Sequence, residues 1–219
     1  MDYFLIFSKD ETSHLKTIEE LFRRLNEAGL AISPKKCLFG EKELDFVGYR
    51  VTNKGITPLP RKLEAIAKFP SPEKQKHLLG FLGAVAYYRR SLPIVNKVTP
   101  AEILQPLYNA ATHKLKPGDK FTDWWRENNM EEHFVKAKLL LMNATQLVHP
   151  DHSAPLSITT DASDRAIGAS LQQFVGGTWQ PLGFWSRHLR PDKQKWTPYR
   201  RELLAIKDGI RHFIPEIQG

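Results

Sequence analysis

The stretch Ile158-Thr159-Thr160-Asp161-Ala162-Ser163-Asp164 marks the point at which the sequence changes from helical to strand-like patterning. Apolar and β-branched residues give way to acidic and small ones, which is typical of a strand that ends in a turn. Similar strand-like runs follow at 166–173 and 179–186, and a helix is predicted from about Pro198 to Phe213. Three strands joined by short turns and then a helix predict an α+β or α/β domain led by an antiparallel meander.

Upstream of residue 149 the sequence predicts mainly helices. Apolar residues at helical spacing predict helices over 11–28 and 131–144, and Ser71-Pro72-Glu73 supplies the start signals of a helix that ends before Pro93. Three further predictions are a short buried strand at Phe4–Phe7, a hairpin over 42–56 and an irregular, basic linker over 93–120.

The composition is that of a globular protein. Of the 219 residues, 41% are hydrophobic and 26% are charged, which argues against wholesale disorder. Cys37 is the single cysteine, so an internal disulfide and a cysteine-cluster metal site are both excluded. The longest apolar run, 78–88, is about half as long as a membrane-spanning helix requires. We therefore expect an intracellular chain, cytoplasmic or nuclear, without a membrane partner.

The net charge of +8 is concentrated in one part of the sequence. Residues 51–120 contain twelve Lys and Arg against four Asp and Glu, and the other segments nearly cancel one another. A localised basic excess is typical of a protein that binds the phosphate backbone of nucleic acids. It is equally compatible with a well-solvated surface, and charge alone does not separate the two.

Asp161 and Glu202 are the candidate metal-binding carboxylates. An Asp at the end of a strand and a Glu from a packed helix can converge as oxygen ligands for Mg²⁺. Two such ions can activate water and stabilise the leaving oxygen of a phosphodiester. On the residues alone the simpler interpretation is favoured, in which Asp161 belongs to a turn and Glu202, beside Arg200 and Arg201, is a solvated charge.

The C-terminal third carries a family resemblance. The stretch at 158–164, with Ile167-Gly168-Ala169 after it, resembles the opening strand of the ribonuclease H domain in Pol polyproteins of gypsy-class LTR retrotransposons. Residues 181–187, Pro-Leu-Gly-Phe-Trp-Ser-Arg, resemble the third strand of that domain. Residues 199–206 are similar to its first helix, which carries the second catalytic acid.

The resemblance continues upstream in the same order. Residues 1–8 resemble the reverse transcriptase segment that contains a Tyr-x-Asp-Asp pair, and 30–40 with Phe46-Val47-Gly48-Tyr49 resemble the following palm strands and primer-gripping hairpin. Phe81-Leu82-Gly83 with Tyr87-Tyr88-Arg89-Arg90 is similar to the thumb helix. The resemblance implies an α+β chain with three parts: a palm remnant at 1–56, a helical thumb and connection at 57–148, and an incomplete ribonuclease H-like domain at 149–219.

The catalytic residues carry over only in part. Asp161 and Glu202 match the first two metal-binding acids of the ribonuclease H site, and Asp2 matches the first aspartate of the polymerase pair. Tyr3 stands where the second aspartate is usual, and the third ribonuclease H acid of the family would follow Gly219. The resemblance therefore implies Mg²⁺ as the cofactor, with Mn²⁺ as a substitute, and a chain that binds the metal weakly or not at all.

The nucleic-acid-binding residues are better preserved. The expected partner is an RNA–DNA hybrid or a primer–template duplex, and Tyr88 is expected to pack in the thumb core. The residues expected to bind the duplex are Lys74, Lys76, Tyr87, Arg89, Arg90, Gly48 and Tyr49.

Three functional hypotheses remain open at this point. In the first, the chain is a Pol segment whose ancestral activities are RNA-directed DNA synthesis and cleavage of RNA in an RNA–DNA hybrid. In the second, it is a co-opted protein that binds nucleic acid without catalysis. In the third, it is a protein-interaction module. In the last case its exposed sheets would pair with another copy or with other Pol segments.

Overall fold

The computed structural model describes residues 3–218 and contains two three-stranded antiparallel sheets connected by helices. Asp2, a candidate catalytic residue, lies outside the described residues. The α+β fold class predicted from the sequence is confirmed. The helices are α1 (Glu11–Glu27), α2 (Pro60–Ala67), α3 (Gln75–Tyr87), α4 (Pro100–Thr112), α5 (Phe121–Glu127), α6 (Met130–Met142), α7 (Pro191–Gln194) and α8 (Pro198–Gln218). The strands are β1 (Leu44–Phe46), β2 (Tyr49–Thr52), β3 (Gly55–Pro58), β4 (Leu156–Ala162), β5 (Ala166–Val175) and β6 (Thr178–His188).

The N-terminal region is held by local interactions more than by a core. Asp10 caps α1 by accepting a hydrogen bond from the Ser13 backbone N–H at 2.8 Å. Leu25 is the one buried residue of this helix. The predicted strand at Phe4–Phe7 is wrong: this segment forms no strand, and Phe7 is 87% exposed. Its backbone finds no neighbouring strand among the described residues, and an unpaired strand is not stable alone.

The first sheet confirms the predicted hairpin and adds a third strand. β2 pairs with β1 and with β3, with Phe46 opposite Tyr49 and Thr52 opposite Gly55. The sheet is fastened to residue 147, because the backbones of Ile56 and Leu147 exchange two hydrogen bonds of 2.7 and 3.0 Å. A Cβ at Gly55 would collide with the Leu147 carbonyl, so glycine is required there.

Helices α2 to α6 share the main hydrophobic core. Phe81 of α3 and Phe134 of α6 are both fully buried, with ring centroids 4.5 Å apart. The predicted irregular linker over 93–120 is wrong in its centre, where α4 forms. Thr99 caps α4 by accepting from the Glu102 N–H, and Pro100 fits its first turn, where no backbone N–H is required.

The second sheet packs one face against α8. Gly209 lies where a Cβ would come within 2.9 Å of the Ala169 Cβ and 3.4 Å of the Thr160 Cγ2. The sheet is therefore in close contact with the helix. The opposite face is covered by the segment before α4, since a Cβ at Gly168 would be 2.7 Å from the Ile94 Cδ1. The three strands and the helix follow the predicted order.

Polar contacts connect the second sheet to the helical part. The Val148 N–H donates to the Pro181 carbonyl at 3.0 Å, and the Ala101 N–H donates to the Ser186 hydroxyl at 3.1 Å. The side chains of Arg90 and Glu216 form an ion pair at 2.9 Å. Among residues 3–218, no helix is both long and apolar enough to cross a bilayer.

Candidate nucleic-acid interface and carboxylate pair

A tight turn between β1 and β2 is held by tyrosines from the end of α3. Val47 and Gly48 both have positive φ angles, 43° and 82°. The Tyr87 hydroxyl donates to the Val47 carbonyl, and the Tyr88 hydroxyl donates to the Gly48 carbonyl at 3.2 Å. A Cβ at Gly48 would lie 3.0 Å from the Tyr88 hydroxyl oxygen. Gly48 therefore serves both the turn geometry and the close approach of the tyrosines.

Tyr49 completes this cluster from β2. Its hydroxyl donates to the Tyr87 carbonyl at 3.1 Å, and its ring lies 5.6 Å from the ring of Tyr87 and 5.3 Å from that of Tyr88. Burial raises the pKa of Tyr49 to about 12, with the neighbouring tyrosines adding to the effect. Tyr88 is buried, as expected, whereas Tyr87 is 48% exposed.

An open cleft of about 470 Å³ lies between this turn, α2 and α3. Gly48, Tyr87 and Gly83 border it, and Lys62 brings a positive charge to its rim. The cleft thus combines an exposed aromatic residue, a glycine-lined floor and a cation, in the part of the chain with the largest basic excess.

The exposed face of α3 is bare in the sense that two of its positions are glycines, which carry no side chain. Gly80 and Gly83 are exposed, and a Cβ at either position would meet no atom within 4 Å. Lys76 and Tyr87 lie on the same face, because they are seven residues before and four residues after Gly83. Neither glycine is among the predicted site residues, although two glycines inside a helical pattern are a signal for close approach of a backbone or ligand.

All twelve basic residues between 51 and 120 are exposed. Three of them pair with carboxylates: Arg61 with Asp45, Lys68 with Glu64 and Arg90 with Glu216. The other nine have no acidic partner among the described residues and remain available for an anionic ligand. They are Lys54, Lys62, Lys74, Lys76, Arg89, Lys97, Lys114, Lys116 and Lys120.

Arg89 and Arg90 differ in their surroundings although they are adjacent in sequence. Arg89 is exposed and forms no ion pair within residues 3–218. The Arg90 guanidinium bonds Glu216 of α8 and lies against Gly183 of β6, where a Cβ would be 3.4 Å from its Nε. The structure thus places Arg90 at the contact between the helical part and the second sheet.

Asp161 and Glu202 lie on elements that pack together, but on different faces of the second sheet. Ala162, Leu204 and Ala205 share one apolar cluster, so the end of β4 and the first turns of α8 are in contact. The Thr160 side chain faces α8. Because side chains alternate along a strand, the Asp161 side chain projects from the face of the sheet that is turned away from α8. It pairs there with Gly168, and Gly168 pairs with Ser186.

The donor set does not fit a two-metal centre. Among residues 3–218, no group of three or more His, Cys, Asp or Glu side chains is placed to hold a metal ion. Asp161 and Glu202 are partly buried, and neither forms an ion pair among these residues. Asp208, the next acid along α8, pairs with Arg187. The assignment of Asp161 and Glu202 as metal ligands stays a prediction.

Comparison with protein families identifies both ends of the chain. Residues 125–219 match the RNase H-like domain found in reverse transcriptase, and residues 1–51 match the reverse transcriptase (RNA-dependent DNA polymerase) family. The boundaries of the three predicted domains stay predictions.

Two relatives match almost the entire chain. The chain is 34% identical over 217 residues to the retrovirus-related Pol polyprotein from transposon 297 of Drosophila melanogaster. This match covers 98% of the chain and 19% of the relative. The chain is 29% identical over 214 residues to the transposon Tf2-7 polyprotein of Schizosaccharomyces pombe. This match covers 97% of the chain and 15% of the relative. The chain thus spans less than a fifth of the length of these relatives.

Two solved structures share the fold. The foamy viral protease-reverse transcriptase in complex with an RNA/DNA hybrid superposes with a TM-score of 0.73 at 23% identity, over 95% of this chain and 27% of that one. The same protein in complex with dsDNA superposes with a TM-score of 0.73 at 23% identity. This match covers 97% of this chain and 42% of that one.

Proposed function

The chain belongs to the Pol polyprotein family of LTR retrotransposons, and on that premise we propose that it binds nucleic-acid duplexes through α3 and the adjoining hairpin turn. The expected ligand is an RNA–DNA hybrid or a primer–template duplex. The proposed interface consists of the exposed face of α3, the turn at Gly48 and the surrounding unpaired cations. The chain would act as a binding segment, without turnover of its own.

The bare face of α3 carries this proposal. Glycine inside a helix costs about 0.5–1 kcal/mol relative to alanine, because the unfolded chain is more flexible and no side chain packs. At Gly80 and Gly83 no internal contact accounts for this cost, since a Cβ would meet open space. A duplex backbone that approaches the helix surface gives both glycines a function.

The charges near this face support the same ligand. Lys74 and Lys76 lie at the start of α3 and Arg89 follows its end, so the cations flank the two glycines along the helix. Lysine and arginine bind phosphates without reading the base sequence, which predicts binding with little sequence preference. Tyr87, half-exposed and anchored by its hydroxyl, offers a rigid surface for a sugar or base.

Tight anchoring of the turn adds to the proposed interface. Three tyrosine hydroxyls bond backbone carbonyls of the turn and of α3, so the hairpin and the helix move together. A duplex bound in the cleft would therefore meet a surface that is already ordered, which reduces the entropy lost on binding.

The test is to replace Gly80 and Gly83 with alanine and to measure both stability and affinity. Each alanine should stabilise the protein by about 0.5–1 kcal/mol, because it favours the helix. The same substitutions should weaken binding of a labelled RNA–DNA hybrid by roughly tenfold, equivalent to about 1.4 kcal/mol, if the duplex approaches the helix closely. Fluorescence anisotropy gives the affinity and urea unfolding gives the stability.

Val135→Ala on α6 is the matched control. Val135 is 44% exposed and lies outside the proposed interface, and alanine also raises helix propensity there. It should change hybrid affinity little. If Gly80→Ala and Gly83→Ala stabilise the chain and leave hybrid affinity unchanged, α3 is not the contact surface and the proposal fails.

A further inference from the structure

A second open cleft, of about 510 Å³, lies at the start of α3. It is formed between residues 73–75 and the segment that connects α4 to α5. Lys74 and Lys120 line it from the two sides. Tyr87 is the last residue of the same helix, so this cleft and the tyrosine-held hairpin turn lie at opposite ends of α3.

The segment between α4 and α5, residues 113–120, is a lysine loop. Its three lysines are exposed and form no ion pair within residues 3–218. They are Lys114, Lys116 and Lys120. Asp119, the acid of the loop, accepts a hydrogen bond from the Lys116 backbone N–H at 3.3 Å, and Glu73 lines the cleft. With Lys74, four lysines stand against these two acids, so the surface is basic.

The lysine loop is held in shape by contacts to the helices around it. The Gln75 side-chain amide donates to the Ala110 carbonyl at 3.0 Å and to the His113 carbonyl at 2.6 Å. The ring of His113 stacks on that of Trp124 in α5, with centroids 4.6 Å apart. The lysines therefore project from an ordered backbone, which reduces the entropy lost when they bind a ligand.

The lysine loop and the hairpin turn lie on opposite flanks of the bare face of α3. Successive residues of a helix are rotated by about 100°. Gln75, which bonds the lysine loop, and Ala84, which borders the first cleft beside α2, are therefore about 180° apart. Gly80 and Gly83 lie between them, about 140° and about 80° from Gln75. A line from the loop to the turn thus crosses both glycines diagonally.

We propose that the lysine loop is a second phosphate-binding region of the duplex interface, so that one duplex crosses α3 from the loop to the hairpin turn. This inference rests on the proposed duplex binding. From Gln75 to Tyr87 the helix rises about 18 Å. That is about half of the 34–36 Å helical repeat of a duplex, so one straight duplex reaches both ends. Lysines bind phosphates without reading bases, as this surface requires.

The experiment removes the three loop lysines together, as Lys114→Ala, Lys116→Ala and Lys120→Ala in one chain. Affinity for a labelled RNA–DNA hybrid, measured by anisotropy at about 100 mM salt, should fall at least tenfold. The slope of log affinity against log salt concentration should decrease in magnitude by about two to three, because three phosphate contacts are lost. All three side chains are exposed, so urea unfolding should show little change in stability.

A charge-matched variant controls for the loss of net charge. It combines Lys68→Ala, Arg126→Ala and Lys136→Ala, which remove three exposed cations from the same helical part. Each of these cations is already paired with a carboxylate of its own helix. The control should therefore change hybrid affinity and salt slope much less than the loop variant does.

Replacing the three loop lysines with arginine should restore hybrid affinity to near the wild-type value, because arginine keeps the positive charge. A loop variant that binds like the charge-matched control overturns the inference, as does an arginine variant that binds no better than the alanine one. The alanine substitutions of Gly80 and Gly83 test α3 separately. Should they weaken binding while the loop variant matches its control, the proposed function stands and the lysine loop is not part of the interface.

Discussion

The Arg90 guanidinium and the Glu216 carboxylate form an ion pair at 2.9 Å that joins the end of the thumb-like helical region to the C-terminal helix. One carboxylate oxygen of Glu216 accepts this contact, and the other is buried without a hydrogen-bond partner. Beside it, His212 stacks on Trp185, and burial lowers the pKa of His212. Arg90 is therefore the cation that neutralises Glu216 at the contact between the two parts of the chain.

We expect Arg90→Ala to affect stability and Arg89→Ala to affect binding. Loss of Arg90 leaves Glu216 partly buried without its cation, and should lower the free energy of unfolding by about 1 kcal/mol. Arg89 has no acidic partner among the described residues, so Arg89→Ala should mainly weaken hybrid affinity. Urea unfolding and anisotropy measure the two effects.

A double variant separates the ion pair from other roles of Arg90. Glu216→Gln removes the charge that Arg90 neutralises, so Arg90→Ala should cost less in that background than in the wild type. Equal costs in both backgrounds would show that the pair does not stabilise the contact.

The tyrosine cluster should make stability sensitive to alkaline pH. The folded state raises the pKa of Tyr49 to about 12, above the ordinary value of 10.0, so the neutral phenol is the form that the fold stabilises. This contribution is fully present below the unfolded pKa and is lost as the pH rises through the folded one. Tyr49→Phe has no proton to lose, and should show a smaller drop in unfolding free energy between about pH 8 and about pH 11.

Tyr108→Phe is the control for this measurement. Tyr108 lies on α4, outside the cluster, and should leave the alkaline dependence unchanged. At neutral pH, Tyr49→Phe should cost about 1 kcal/mol because its hydroxyl no longer donates to the Tyr87 carbonyl. An alkaline profile identical to that of the wild type would contradict the assignment to Tyr49.

The sequence predicts best those elements whose local signals agree with their packing. The three strands of the second sheet alternate between a face against α8 and a face against the segment before α4, and glycines or polar turns separate them. Ile158 and Thr160 therefore lie where their pattern places them. The hairpin around Gly55 is predictable for the same reason, since turn chemistry and β-propensity coincide.

The errors arise where tertiary contacts override local signals. Ser71-Pro72-Glu73 predicts a helix start, yet α3 begins at Gln75 because the Ser71 hydroxyl donates to Glu131 of α6 at 2.8 Å. The error over 93–120 has a local cause, because its prolines predict a break although Pro100 is suited to the first turn of α4. Pairing between Arg90 and Glu216 depends on residues far apart in sequence, and no local pattern reports it.

Hybrid affinity should fall steeply with salt, because binding releases counterions from the duplex. We expect a linear relation between log affinity and log salt concentration over roughly 50–200 mM. Lys76→Ala, and separately Lys74→Ala, should each reduce the magnitude of the slope by up to about one if the residue contacts a phosphate. Anisotropy titrations at several salt concentrations provide the slopes.

Lys136→Ala supplies the charge-matched control for the salt experiment. Lys136 lies on α6, and its ammonium group is paired with Glu132 at 2.6 Å, so its removal should alter the slope little. An affinity that stays flat across the salt series would remove the electrostatic account of binding.

Asp161→Ala and Glu202→Ala should leave hydrolysis of an RNA–DNA hybrid at the background level of the wild-type chain. Among the described residues no third acidic side chain lies beside this pair. The Asp161 side chain also projects from the face of β4 that is turned away from α8. Members of a catalytic set cooperate, so an incomplete set loses most of its rate and removing another member changes little. The assay uses purified chain with Mg²⁺ or Mn²⁺, and Asp119→Ala serves as a surface control.

Cleavage by the wild type that Asp161→Ala abolishes would contradict this expectation. It would require another acid, such as Asp164, or Asp208 after release from Arg187, to complete the site.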